Sequence, residues 1–543
     1  MSQPMPENLA PTPPSSAPLA PLETDDRQIQ WCLLSHTNIG KTTLTRTLLA
    51  DDVGEIQDAA HVTSQSQRYL LQTDAEGDQL WLWDTPGFGD SVRLYERLKQ
   101  QGNPLGWFLS NVWDRWRDKP FYMSQRALVA ARDHADVMLY LVNAAEDPAD
   151  AGYWEAEMRI LQWMNKPVII LLNQIGSDTT PEQTEADLQR WRSAVQAFSA
   201  TVRDVLVLDA FTRSWWHERQ MLRSIAPLLP AAKQPAYQRL LNQREQRQRN
   251  REQASLQVLS AQLIRSALVQ ESPHTAQPKL WERAISKLSQ VINKPAQDAD
   301  LPAAARDAMK RLLGAVQQAD VRATQQLLQL HQLDGEAASQ IQQQLKSDLH
   351  ITTPSDPQAA GLWGALTAGA ATGLGADLLT GGMTLGTGAL VGALVGAVTF
   401  AGAAWGANKM FDQEAQHFRL SSDYLTALAG QALLKYLVIS HYGRGRGRYS
   451  APSAPQQWNA AVQTAIEQHR AEWQALWSRV TTLVTPVSAT DDAAFPLAAD
   501  AQAEEQAAAL LLEQCLDHIW HTLYPSIHAS STGVSANASK ASR

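Results

Sequence analysis

Ten residues, Ser-His-Thr-Asn-Ile-Gly-Lys-Thr-Thr-Leu at positions 35–44, limit what this chain can fold into more than any other stretch. An apolar run at 29–34 leads into them and a helical pattern at 43–50 leads out, which predicts strand, turn and helix. The pattern Gly-x-x-x-x-Gly-Lys-Ser/Thr wraps backbone N–H groups around phosphates, aims a lysine at the β- and γ-oxygens and offers a hydroxyl to Mg²⁺. Gly40, Lys41 and Thr42 fill three of its four fixed positions, and Ser35 stands at the first glycine. Ser35, His36, Thr37, Asn38, Ile39, Gly40, Lys41, Thr42 and Thr43 therefore form a candidate nucleotide-binding turn, with an ordinary strand-to-helix turn as the alternative.

A second fixed point follows about forty residues later, where a strand predicted over 79–83 ends in Asp84-Thr85-Pro86-Gly87. An aspartate there holds Mg²⁺ through water, and the glycine N–H can meet a γ-phosphate at a site that senses whether that phosphate is present. Between the two motifs lies a polar stretch containing Thr63, where a switch loop would close over the metal; Ser64 and Thr73 are alternatives, and a surface loop is another. The candidate catalytic set is Lys41, Thr42, Thr63, Asp84 and Gly87, with Thr42, Thr63 and Asp84 around Mg²⁺. Further strands at 137–142, 167–172 and 204–208, and a helix at 148–165, predict a mostly parallel sheet flanked by helices: an α/β P-loop NTPase domain, followed by a mostly α-helical domain.

Asn-Ile-Gly-Lys-Thr-Thr-Leu at 38–44, followed by Asp84-Thr85-Pro86-Gly87-Phe88, resembles the Era/TrmE-type bacterial GTPases, whose phosphate loop reads Asn-Val-Gly-Lys-Ser-Thr-Leu. In that group a hydrophobic residue, here Phe88, stands where Ras-like proteins carry a water-orienting glutamine. The resemblance implies GTP and GDP as ligands and slow intrinsic turnover. It also implies a K⁺ ion positioned by the phosphate-loop asparagine, here Asn38. The base-reading segments depart from the general pattern. Asn173-Gln174-Ile175-Gly176 stands where a GTPase has Asn-Lys-x-Asp, and Asp209-Ala210-Phe211 where the family has Ser-Ala-Lys. Gly176 cannot accept the guanine hydrogen bonds that an aspartate accepts, and losing a polar contact of this kind reduces base discrimination. Asp178 is a candidate substitute, or a plain surface residue. GTP is favoured over a relaxed NTPase or ATPase reading by the resemblance.

At 543 residues the chain is long enough for three or four units at about 150 residues each. Its net charge of −9 argues against coating nucleic acid through overall charge, and two cysteines, Cys32 and Cys515, are too few for a disulfide framework. The expected division is a disordered leader at 1–26, the nucleotide domain at 27–230, a helical region at 231–350, a glycine-rich hydrophobic hairpin with an Arg/Gly segment at 351–450, C-terminal helices at 451–528 and a disordered tail at 529–543. Trp107, Phe108, Trp113, Trp116 and Phe121 either cap a small core or face an effector or lipid. The mixed-charge run at 244–252 reads as a solvated helix face.

Between 358 and 407 the only charged side chain is Asp377. The second arm, 383–407, meets the length of about 20 residues that a spanning helix needs, and Gly388, Gly392 and Gly396 repeat every fourth residue as Ala365, Gly369 and Gly373 do on the first. Two readings stand: inner-membrane association through 361–407, or small-residue helices buried in the domain. Arg444, Arg446 and Arg448 alternate with glycines, a pattern suited to phosphate or to a solvated loop. Hairpin and Arg/Gly segment resemble the C-terminal domain of unknown function found in a bacterial family of Era-like GTPases. The implied protein is a cytoplasmic nucleotide switch with an unidentified protein effector; nucleic acid is not expected as a partner. A nucleotide-gated membrane module with little turnover is the rival outside the enzymes.

Overall fold

The computed structural model describes residues 25–49, 66–102, 104, 106, 119–176, 179–271, 303–333, 341, 398–401, 417–420, 422–443, 455–483, 499–525 and 527. Thr63, Ser64, Asp178, the four aromatics at 107–116, most of the hairpin, Arg444, Arg446, Arg448, the leader through 24 and the tail from 528 lie outside the described residues.

A six-stranded sheet organises the first half. It comprises β1 (Gln28–Ser35), β2 (Gln67–Thr73), β3 (Gln79–Asp84), β4 (Val137–Asn143), β5 (Val168–Asn173) and β6 (Val202–Val207), in the order β2-β3-β1-β4-β5-β6. All neighbours are parallel except the edge pair β2 and β3. The central strands are apolar on both faces, as a sheet covered on both sides requires. Ile29, Trp31 and Leu33 join Leu139, Leu171 and Leu206 in one core, under α1 (Lys41–Leu49) and α6 (Trp215–Ile225). Cys32 and Leu34 join Tyr140, Ile170 and Leu172 in the other, under α2 (Ser91–Leu98), α3 (Lys119–His134), α4 (Trp154–Gln162) and α5 (Pro181–Ala194). Phe121 is buried in this second core, as the capping reading expects.

The helical half begins with α7 (Gln234–Leu268), 35 residues or about 50 Å long. Its first turns bury Tyr237 and Leu240 in the sheet domain, and its last turns bury Leu259 and Leu263 in a separate core. One rigid helix thus belongs to both halves. Around its far end pack α8 (Ala303–Leu330), α9 (Ser422–Ser440), α10 (Gln456–Gln468), α11 (Arg470–Val480) and α12 (Ala499–Leu523). α9 is buried along nearly its whole length, which explains its apolar sequence without a membrane. Trp458, Trp473 and Trp477 are core residues.

Several elements differ from expectation. β2, an edge strand with exposed and half-exposed positions, carries no clean alternation and was not visible in the pattern. α5 was also missed, although Thr180-Pro181-Glu182-Gln183 forms a complete capping box with proline in the first turn. The predicted helix at 148–165 starts only at Trp154, and the helix expected over 455–484 breaks at His469. Residues Val398–Ala401, in the arm expected to be helical whether spanning or buried, are extended and pair antiparallel with His417–Leu420; Val-Thr-Phe favours a strand. No helix among the described residues is long and apolar enough to cross a membrane. Both cysteines are free and buried.

One side of the run at 244–252 is covered, while Gln246, Arg247, Arg249 and Asn250 are exposed as a solvated face requires. Arg244 on α7 donates to the buried Glu218 of α6 at 2.6 Å, and Arg213 donates to the other oxygen of the same carboxylate at 3.0 and 3.1 Å. Burial would raise the Glu218 carboxyl, but the Arg213 and Arg244 guanidiniums overcome it and hold the group down to about 2. Its contribution to stability is therefore fully present above the ordinary value of 4.5 and is lost as pH falls through about 2. A carboxyl lowered this far contributes about 3 kcal/mol. In acid unfolding followed by circular dichroism, Glu218→Gln should be less stable than wild type at pH 7, and the gap should close between pH 4.5 and 2.

Candidate nucleotide site

β1 ends beneath the turn that connects it to α1. Asn38 and Gly40 take the left-handed backbone conformation, with φ of 65° and 98°, which an asparagine and a glycine tolerate. The Lys41 ammonium, nearly buried, donates to Ser35 Oγ at 2.7 Å and lies 3.4 Å from the His36 carbonyl. Ser35, at the position of the missing glycine, thus holds the lysine across the turn. His36 bonds the buried Glu157 carboxylate at 2.7 Å and stacks on Tyr153, while Tyr140 donates to the second oxygen of Glu157. These three supports of the loop carry no local motif and were not foreseen.

Asp84, at the end of β3, lies where the motif predicts. Thr42 Oγ1 donates to Asp84 Oδ2 at 2.8 Å, so the two expected metal-organising side chains touch. The other oxygen, Oδ1, is buried and has no hydrogen-bond partner. Burial pushes Asp84 up to about 6 against the Thr42 hydroxyl and Lys41, and pushes Lys41 down to about 8 against Asp84 and Glu157. A buried orphan carboxylate oxygen beside a threonine hydroxyl fits a Mg²⁺ ion completed by phosphate and water oxygens. Thr85 fixes the following turn by donating to the Leu33 carbonyl at 2.5 Å. Pro86 leads to Gly87, where an added Cβ would stand 2.9 Å from the Thr37 Cα, so this glycine touches the phosphate loop directly. Phe88 donates its N–H to the Ser35 carbonyl at 3.0 Å and buries its ring in the core, where it cannot orient a water.

The base-side residues converge too. The buried Asn173 amide donates to the Ile39 carbonyl at 2.7 Å and accepts from the Ala210 N–H at 2.8 Å, binding phosphate loop to base loop. Gln174 has φ of 60° and Gly176 of 92°. A side chain at position 176 would be strained, so this loop excludes the usual aspartate for a backbone reason. Asp209 accepts from the Ile175 N–H at 3.1 Å and the Phe211 N–H at 2.7 Å. A groove of about 690 Å³ opens beside Ile175, Gly176 and Asp209 and is closed on its far side by Trp458 and Tyr524 of the helical half.

The family described as 50S ribosome-binding GTPase matches residues 31–174, and a domain of unknown function, DUF3482, matches residues 196–511, more than half of the chain. The chain belongs to the DUF3482 family. Its N-terminal part is a P-loop GTPase domain followed by the helical DUF3482 region. GTPase Der of Streptococcus pyogenes serotype M49 is 27% identical over 179 residues, 32% of this chain and 35% of that protein, and Der of serotype M4 is 24% identical over 201 residues. The DUF3482 protein thus spans about a third of the length of the curated relatives it matches. Era in complex with MgGDPNP and nucleotides 1506–1542 of 16S ribosomal RNA superposes at 19% identity, covering 37% of this chain and 57% of that one, with a TM-score of 0.29. Aquifex aeolicus Era bound to GDP.AlF4⁻ superposes at 18% identity over the same shares, also at 0.29. Similarity at that level assigns nothing to this chain.

In the DUF3482 protein the helical region reaches the base loop itself. Thr212 pairs with Tyr442, Arg213 N–H donates to the His441 carbonyl at 2.9 Å, and a Cβ added to Gly443 would stand 2.2 Å from the Ala210 carbonyl oxygen. Gly443 opens the Arg/Gly segment noted in the sequence, but its steric requirement arises from contact with a distant loop. Gly443→Ala must displace Ala210 and Phe211, at a cost of about 1–3 kcal/mol. The expected result is a lower melting temperature and roughly tenfold faster release of a fluorescent guanine nucleotide in stopped flow; unchanged release would show that this contact does not reach the site.

Proposed function

We propose that the protein binds GTP and hydrolyses it slowly as a magnesium-dependent switch, with Lys41 and the 38–42 backbone holding phosphates, Thr42 and Asp84 organising Mg²⁺ and Gly87 sensing the γ-phosphate. The observation that carries this reading is the Thr42–Asp84 contact with its orphan carboxylate oxygen, set beside the Lys41–Ser35 bond. The buried Phe88 supports slow turnover, since no side chain at that position can hold the attacking water. Thr63 remains the candidate that would join Mg²⁺ from the switch loop. The exposed Asn38, in the left-handed conformation at the crest of the loop, is the candidate K⁺ ligand. Equal hydrolysis rates in Na⁺ and K⁺ buffers would remove that role.

Base selection then falls to Asp209. It borders the groove together with Ile175 and Gly176, where its carboxylate can serve guanine N1 and the exocyclic amine in place of the absent aspartate. The experiment is a competition of GTP, ATP and XTP. Wild type should prefer GTP, Lys41→Ala should weaken all nucleotides by roughly 100-fold, and Asp209→Asn should shift preference from GTP towards XTP by roughly 100-fold. A gain for XTP cannot come from loss of folding; equal binding of all three by wild type would instead support a relaxed NTPase.

A further inference from the structure

Where the GTPase domain meets the helical region, a second cavity, of about 30 Å³, is lined by Thr47 of α1, Arg213, Gln248 and Arg251, His331 and Ser440. That exceeds the ~10–15 Å³ one water needs. Arg213 and Arg251 line it, and Arg244 joins Arg213 on one carboxylate, Glu218. Its two oxygens are taken, one by Arg213 and the other by Arg244. Arg251, half-buried, makes no ion pair among the described residues. The adjacent Glu252 is turned to the Tyr436 hydroxyl at 3.4 Å, and burial pushes its carboxyl up to about 7, so it supplies little compensating charge. Burial, reinforced by Arg251 and Arg213, pushes His331 down to about 3, which registers the same positive field.

An arginine does not shed its proton to relieve such a position, and a partly buried charge with no directly paired counter-charge is disfavoured. Water can solvate the guanidinium but cannot cancel it. The Arg251 fork and the Nη1 of Arg213, whose Nε and Nη2 serve Glu218, match a tetrahedral oxyanion together with the amide and hydroxyls around them. We propose that this junction binds a phosphate-sized oxyanion between Arg213 and Arg251, apart from the nucleotide phosphates, and that the anion helps fasten the helical region to the GTPase domain.

The test uses the full chain in the Lys41→Ala background, so that the phosphate loop is not the site being read. Inorganic phosphate, compared with chloride at equal ionic strength, should raise the melting temperature by roughly 2 °C. Equilibrium dialysis with radiolabelled phosphate should find about one bound per chain. Adding Arg251→Met should abolish both effects, while Arg251→Lys, which keeps the charge but not the fork, should bind roughly tenfold more weakly and guards against loss of folding in the first variant. Glycerol 3-phosphate displacing the label would identify a phosphate monoester as the source; failure to displace it would identify free phosphate. Retention of phosphate by Arg251→Met, or no binding to the parent protein, would overturn the proposal.

Discussion

The Asn173 side chain is the joint on which the site depends. Buried at the end of β5, it bonds the Ile39 carbonyl with one end of its amide and the Ala210 N–H with the other. Phosphate loop and base loop, far apart in sequence, are thereby held in one register. The same packing explains Gly40, where an added Cβ would stand 2.8 Å from the Asn173 amide nitrogen. Thr47 of α1 reinforces the joint by donating to the Ala210 carbonyl at 2.8 Å. That carbonyl also abuts Gly443, so the packing runs without a break from the phosphate loop to the helical region.

That continuity places the contact between the two halves on the base side of the site. The turn at 84–88 bonds the phosphate loop and, through the Gly89 N–H, Ser124 of α3. The base loop bonds Tyr442 and His441. Behind it α7 runs through both hydrophobic cores, and the Arg213–Glu218–Arg244 triad clamps α6, α7 and the base loop together. A helix shared by two cores cannot tilt at one end without repacking at the other, which is the kind of element through which a small change at one site acts on a distant one.

The parts legible in the sequence were those set by local chemistry. Lys41, Thr42 and Asp84 belong to motifs whose spacing is dictated by phosphate and metal geometry, and the apolar runs of β1, β4 and β5 announce strands buried on both faces. β2 escaped because an edge strand that packs one face loosely needs no strict alternation, and α5 escaped although its capping box was there to be read. Glu157 and Glu218 could not be found this way, and Gly443 was visible only as part of the Arg/Gly segment, since each acquires its meaning from a partner that only the tertiary fold supplies. Arg244 and Arg251 were misread for the same reason: charge on a helix face says nothing about whether another helix covers it.

Burial acts against both charges at the candidate site, lowering Lys41 and raising Asp84 towards neutrality. Each is therefore sensitive to the ligand that favours its charged form. A phosphate anion stabilises the Lys41 ammonium, and a divalent cation stabilises the Asp84 carboxylate. Thr42 touches Asp84 while its neighbour Lys41 touches Ser35, so the first turn of α1 contacts both the end of β3 and the end of β1. A divalent cation and a phosphate ligand bound at this pair would then strengthen one another's binding reciprocally, because each would complete the charge balance that the other disturbs.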